Sequence, residues 1–377
     1  MRLAFLYIAE TYQAYHCAAV MLDLMARPDV DVDVYYIDPA TPHTLELLRQ
    51  AHGAPAFPMH HMEAGWLGKA IQRVRLLGLA KPQVLAANEE RLRGYDAVIS
   101  TEDGIADLFA GEPENQRPSR ILITHGAGGR AVPSFSKRVH CDLLLLKGEA
   151  DAAYYVRHGL SRPGHVAAAG YTKFASSRAL ARAQQPLFPN DNPVVLYNPH
   201  KDRKQRSWDR FFEPMMAAFR QDDSRNLIVA PHTKLFKRRS EQVRQRLRDR
   251  STDTIIVDPA SPRLLDNSYT EASGIYVGDV SSQVYEFTIR PRPCVFLNAH
   301  GVDWRGDPHY AFWQMGEVVD DPGDLMAAIE RAPALHNQFR NKQVELTALA
   351  LGETSDDVVP RAADWIVEYV RNGKIAT

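Results

Sequence analysis

The chain has 377 residues, 45% hydrophobic and 24% charged, a composition that excludes disordered and fibrous classes and a length that favours two domains. Its 45 Lys and Arg against 46 Asp and Glu give a formal net charge of -1, so no global field draws it to nucleic acid. Three widely spaced cysteines, Cys17, Cys141 and Cys294, form no CxxC or Cys/His ligand pattern, which fits a reducing cytoplasm and argues against structural zinc.

The segment Met1 to Glu10 holds a short apolar run that Glu10 interrupts and no small-residue cleavage site follows, so it reads as a buried first strand. Apolar runs predict further strands at 31–37, 96–100, 120–124, 142–146 and 165–169, and helical periodicity predicts helices at 13–26, 43–52, 80–93 and 149–158. Residues 54–79, with Pro55, Pro58, His60, His61 and Gly65, read as a less regular insertion. Both periodicities lapse over 176–193, which is rich in Ala, Gln, Pro and Asn and reads as a linker after a first domain spanning 1–175. A second series follows in a domain spanning 194–335, with strands near 194–197, 226–230, 254–257, 274–277 and 293–297 and helices near 208–220, 239–249, 281–288 and 322–331. Residues 336–377 read as helical with a break around Gly352 to Ser355, part of them packing back on the first domain. No stretch reaches the about 18 consecutive apolar residues that a spanning helix needs, so any membrane contact is expected to be peripheral, at the inner face. The alternation predicts an α/β protein of two Rossmann-like, doubly wound domains facing across a cleft, with ligands at the carboxyl ends of the strands.

Those strand ends carry the candidate chemistry. The run Ile275-Tyr276-Val277 ends at Gly278, and Asp279, Val280, Ser281 and Ser282 lead into a helix. A helix start with two hydroxyls and unpaired N–H groups suits a diphosphate, and Glu286, one turn on, can accept from ribose hydroxyls. The same residues also serve as an ordinary cap, turn and solvated carboxylate. In the first half, Ile121 to Thr124 run into His125, Gly126 and further glycines, a place for a general base on an acceptor hydroxyl or for a structural turn histidine. Leu227 to Pro231 end in His232 and Lys234, positioned to hold phosphate oxygens as a nucleotide departs or to stand as surface residues. Val194 to His200 lead into a basic loop ending at Arg206 and Ser207, a phosphate site or a solvated loop with Ser207 as cap. Glu10, Tyr12, Tyr15 and His16 follow the first strand and can line an acceptor side. Residues 233–250 hold eight Lys or Arg against two acidic residues, a solvated helix face or a patch for anionic lipid.

In order and spacing, His125-Gly126, Gly170-Tyr171-Thr172-Lys173-Phe174, the strand and loop around Tyr197, His232, Asp279-x-Ser281-Ser282 and Arg292-Pro293-x-x-Phe296-Leu297 resemble the CDP-glycerol glycerophosphotransferases, the teichoic-acid and capsule polymerase-like enzymes of GT-B type fold. The resemblance implies a CDP-linked donor, no tightly bound metal or other cofactor, catalysis by His125 and His232, and phosphate contacts from the 279–282 turn. The function expected is transfer of glycerol phosphate, or a related polyol phosphate or sugar, from a CDP- or UDP-activated donor to a cell-envelope glycan or lipid-linked acceptor. Tyr285-Glu286 after the paired serines is closer to UDP-sugar 2-epimerases of the same architecture, for which Glu102, Asp103 and Glu149 are the available carboxylates. A non-catalytic nucleotide-binding module is the third reading.

Overall fold

The computed structural model describes residues 1–64, 77–125, 136–183, 185–260 and 262–376. They fall into two compact units, Met1–Arg182 with Leu351–Thr377, and Ala183–Ala350.

In unit 1, β1 (Arg2–Tyr7), β2 (Asp31–Tyr36), β3 (Met59–His61), β4 (Ala97–Ser100), β5 (Ser119–Ile123), β6 (Leu143–Leu146) and β7 (Val166–Ala168) pair in parallel in the order β3-β2-β1-β4-β5-β6-β7. Helices α1 (Ala14–Met25), α2 (Thr41–Ala51), α3 (Leu77–Leu92), α4 (Glu149–Arg157) and α5 (Lys173–Ala183) make the connections. A parallel strand covered on both faces needs apolar side chains on both, and β6, four consecutive leucines all buried, meets that demand. The strand order reverses between β1 and β4, so the chain leaves these two strands in opposite directions and opens a crevice at their carboxyl ends.

Unit 2 repeats the plan. Strands β8 (Val194–Asn198), β9 (Asn226–Val229), β10 (Ile255–Val257), β11 (Ile275–Gly278), β12 (Cys294–Leu297) and β13 (Glu317–Val319) run parallel in the order β10-β9-β8-β11-β12-β13. Its helices are α6 (Trp208–Phe219), α7 (Glu241–Arg248), the short α8 (Pro262–Leu265), α9 (Ser268–Ala272) and α10 (Gln283–Phe287), and the long α11 (Leu325–Leu351). Alternate strand residues feed two cores. Val195, Tyr197, Val229 and Val277 pack with Phe211, Phe212 and Met215 of α6 and Ile329 of α11. On the other face Leu196, Ile228, Tyr276 and Phe296 pack with Phe287, Phe312 and Trp313. The switch point here lies between β8 and β11.

The elements depart from the sequence expectations in several places. Residues 176–183, read as linker, are helical: Ser176, Ser177, Ala179 and Leu180 are buried at helical spacing on α5, and an alanine-rich run with a buried face is a good helix. The insertion at 54–79 contains the strand β3, while 65–76, with Gly65, lie outside the described residues. Expected to end near 331, α11 continues through Pro333 to Leu351 and stops where Gly352 takes φ +68°, the left-handed value glycine tolerates. The helix expected at 281–288 is only five residues long. Beyond Gly352 the chain is back in unit 1, where α12 (Val358–Asn372) lies on α1 and Arg27 donates to Asp364 at 2.7 Å and to the Pro360 carbonyl at 3.3 Å.

Candidate functional site

In unit 2 the chemistry gathers at the carboxyl ends of β8, β9 and β11, around the switch point. Asp279, just past β11, is 0% exposed. Its Oδ1 accepts the N–H groups of His200 and Val280 at 2.8 and 2.6 Å, and its Oδ2 accepts the N–H and hydroxyl of Ser207 at 2.5 and 2.7 Å. Since Ser207 gives its proton to Asp279, the Tyr197 hydroxyl must donate to Ser207, at 3.0 Å. Burial pushes the Asp279 carboxyl up from 3.8 to about 6, against the opposing pull of these donors. Asp279 and Ser207, both expected to touch a ligand, thus bind each other and tie the loop after β8 to the end of β11.

That tie presents two histidines. Strands β8 and β9 both run into Pro-His, as Asn198-Pro199-His200 and Ala230-Pro231-His232. Proline cannot donate to the ladder and so ends regular pairing, but its carbonyl still accepts: the His232 N–H donates to Pro199 O at 2.9 Å. Each ring then folds back on its own loop. His200 Nδ1 accepts the Asp202 N–H at 3.2 Å, and His232 Nδ1 accepts the Lys234 N–H at 3.1 Å. A neutral imidazole whose Nδ1 accepts carries its proton on Nε2, so both rings are Nε2–H donors. Their centroids are 5.6 Å apart with the rings nearly perpendicular. Burial, then the charge of Lys201, lowers His200, while burial, followed by His200, Lys201 and Lys234, brings His232 down to about 4. The arrangement is a pair of fixed, neutral donors beside exposed Lys201 and Lys234, suited to anionic oxygens. His200 is absent from the site residues expected from the sequence; the signal for it is the repeated Pro-His at two strand ends.

The other candidates divide. Ser281 is buried, and its hydroxyl accepts the Gln283 N–H at 3.4 Å; Ser282 is exposed at the N-cap of α10 without a side-chain cap bond. A five-residue helix sums few peptide dipoles, so the anion-attracting helix start expected here is weak. Gly278 is glycine for packing: a Cβ there would lie 2.5 Å from the Tyr276 hydroxyl and 2.6 Å from its ring. Glu286 is buried, not a solvated carboxylate. Arg206 makes a two-armed pair with Asp209 at 2.7 and 3.0 Å, which occupies the fork expected for phosphate.

Unit 1 holds a histidine of the other tautomer. His125, two residues past β5, donates from Nδ1 to the Thr101 carbonyl at 2.8 Å, leaving a lone pair on Nε2. The Gln13 amide lies 3.4 Å from that nitrogen and donates to Glu102 at 2.6 Å; Thr101 Oγ1 donates to Gln13 at 2.7 Å, and Lys81 to Glu102 at 3.0 Å. This network orients an imidazole able to accept a proton. His16 on α1 is buried, its ring 6.1 Å from that of His125 and 5.6 Å from that of Tyr171; burial, then Lys173, His125 and Lys147, holds it well below 6.5. Gly126 lies outside the described residues. Among the described residues, no group of three or more His, Cys, Asp or Glu is placed to hold a metal ion, and no helix is long and apolar enough to cross a membrane.

No family model and no curated protein matches the chain by sequence. Solved structures do match. A putative UDP-N-acetylglucosamine 2-epimerase from Listeria monocytogenes is 13% identical with a TM-score of 0.62, over 99% of this chain and 96% of that one. The UDP-GlcNAc 2-epimerase from Neisseria meningitidis bound to UDP-GlcNAc is 13% identical at 0.60, over 98% and 100%. The wall teichoic acid polymerase TagF is 11% identical at 0.63, over 99% and 89%. What the chain shares with them is the fold: two parallel-sheet α/β units of GT-B type.

Proposed function

We propose that the chain is a transferase that takes a CDP- or UDP-linked donor and moves its glycerol phosphate, a related polyol phosphate or a sugar to a hydroxyl of a cell-envelope glycan or lipid-linked acceptor. The observation that carries the reading is the pair of Nε2–H donors, His200 and His232, at the β8–β11 switch point. There they hold the donor's diphosphate, with Lys234 neutralising charge as the nucleotide leaves. Ser281 and Ser282 flank the same strand end, and Glu286 takes the ribose. In unit 1, His125 Nε2 accepts the proton of the acceptor hydroxyl. The new bond forms from that oxygen to the donor's phosphorus or anomeric carbon, and the bond to the departing CMP or UDP breaks. No resident metal or cofactor enters this scheme. Likeness to a teichoic acid polymerase and to 2-epimerases supports a nucleotide-linked donor.

A UDP-sugar 2-epimerase reading has one specific observation behind it: the Glu102 carboxylate sits in the Gln13 network beside His125, where a second acid or base would be wanted. Incubation with CDP- and UDP-linked donors, with and without glycan acceptors, separates the two. CMP or UDP released only with acceptor supports transfer; UDP and a rearranged sugar without acceptor support epimerisation and overturn transfer. His125→Ala is expected to abolish turnover with the fold intact, and normal turnover in that variant removes His125 as the base.

A further inference from the structure

The two Pro-His turns leave a backbone carbonyl to be satisfied, and the residue that satisfies it has no role in the scheme above. In a parallel ladder the N–H and C=O groups of neighbouring strands bond at even spacing. Tyr197 of β8 pairs with Val229 of β9, and the Ala230 N–H donates to Tyr197 O and the His232 N–H to Pro199 O, each at 2.9 Å. That register calls for the N–H of residue 199 at the Ala230 carbonyl, and proline has none. A side chain supplies it: Asn198 Nδ2 donates to Ala230 O at 2.8 Å. Because a carbonyl only accepts, the amide must turn its NH2 towards Ala230 and its Oδ1 away, where the Tyr276 hydroxyl of β11 donates to it at 3.2 Å. Asn198 and Tyr276 are both 0% exposed. Burial, then the charge of Asp279, holds the Tyr276 hydroxyl well above 10, so it stays a donor. Its ring lies over Gly278, the residue that pairs with Asn198 across β11 and β8. One buried amide therefore links the adjacent strands β9, β8 and β11. Asn198 stands two positions before His200, and its partner Ala230 two positions before His232.

We propose that Asn198, oriented by Tyr276, is the positioning residue of the histidine pair: it sets the separation and direction of the two Nε2–H groups, and through them the preference of the site for two linked phosphates over one. This role deepens the reading of the pair as the diphosphate site and rests on it. Loss of the amide strips the Ala230 carbonyl of its donor and frees one Pro-His turn to shift against the other. A diphosphate that engages both rings feels that shift, because donors must be held within a fraction of an ångström of the bound geometry. A monophosphate, needing one ring, is largely indifferent to it.

Calorimetry with UDP and UMP on the full chain, together with NMR of the histidine ring signals, tests the role. Asn198→Ala is expected to weaken UDP by about tenfold and UMP by less than about threefold, and to lose the nuclear Overhauser contact between the His200 and His232 rings. Replacing Pro199 as well returns the backbone N–H for which Asn198 substitutes, so the double variant Asn198→Ala with Pro199→Ala should regain most of the UDP affinity. An Asn198→Ala chain that folds and binds UDP as wild type does, one that loses UDP and UMP affinity alike, or a folded double variant that regains nothing would overturn the role. Should Asn198→Ala fail to fold, Tyr276→Phe decides: a fall of about threefold in the preference for UDP over UMP is expected, and an unchanged preference overturns the role. Wild-type chain that binds no UDP would sink the donor reading, and the ring contact in the ligand-free chain then separates the two. Its loss in Asn198→Ala or Tyr276→Phe supports the positioning role, and its persistence in both overturns it.

Discussion

Asp279 and the histidine pair make opposite demands on pH. The Asp279 carboxyl is raised in the fold, from 3.8 to about 6, so its contribution to stability is full below about 4 and is lost as pH rises through about 6. His200 and His232 are lowered, and what they add is present above about 6.5 and is lost as pH falls, for His232 near 4. Affinity for UDP or CDP should weaken on acidification through pH 6, as protonation of Asp279 loosens its hold on the His200 and Ser207 N–H groups, while the His232 ring, lowered to about 4, stays neutral. A titration in which affinity instead rises through pH 6.5 would show cationic histidines and refute the assignment of neutral donors. Asn at 200 can copy the acceptor at Nδ1 but has nothing at the position of Nε2–H, so His200→Asn should keep the turn and cost about tenfold in UDP affinity by calorimetry. Asp279→Asn aims an amide at donors from His200, Val280 and Ser207. Its expected cost is about 2 kcal/mol in urea unfolding, with diphosphate binding falling alongside.

At the scale of elements, the α/β alternation was legible because parallel strands buried on both faces leave uninterrupted apolar runs: β6 and β12 stand where the leucines and Cys294 to Leu297 predicted them. Two short strands were not: β3, Met59-His60-His61, and β13, Glu317-Val318-Val319, carry little apolar contrast, whereas the equally short β7 and β10 are apolar throughout. Residues 176–183 read as linker because a helix packed by Ser and Ala carries little apolar contrast either. The candidate site was legible where a strand end met a histidine, as at 125 and 232. His200 was obscured by the basic loop that follows it. The partnership of Asp279 with Ser207, separated by 72 positions, leaves no local pattern at all. Gly278, read as the strand end of the donor turn, leaves room for the Tyr276 ring. Gly352 is the stricter case: at φ +68° its Cβ would stand 2.0 Å from the Lys147 carbonyl oxygen. Gly352→Ala should lower stability by about 2–3 kcal/mol, measured by chemical denaturation.

For the molecule as a whole, two units with separate cores should respond separately to ligands. At a concentration about 100 times its Kd, UDP should stabilise unit 2 by about 2.7 kcal/mol, shifting one calorimetric transition and leaving the other in place; a shift confined to the unit 1 transition would put the nucleotide on the wrong half. The order of the chain adds a consequence for biosynthesis. Unit 2 interrupts unit 1, since residues 183–350 are made before the last helix of unit 1, and that helix covers α1. On the ribosome the amino-terminal sheet must therefore wait through the synthesis of an entire second unit with the α12-binding face of α1 uncovered. For that interval the nascent chain presents an apolar surface that chaperones can recognise, and unit 2 can close on its own core before unit 1 is complete.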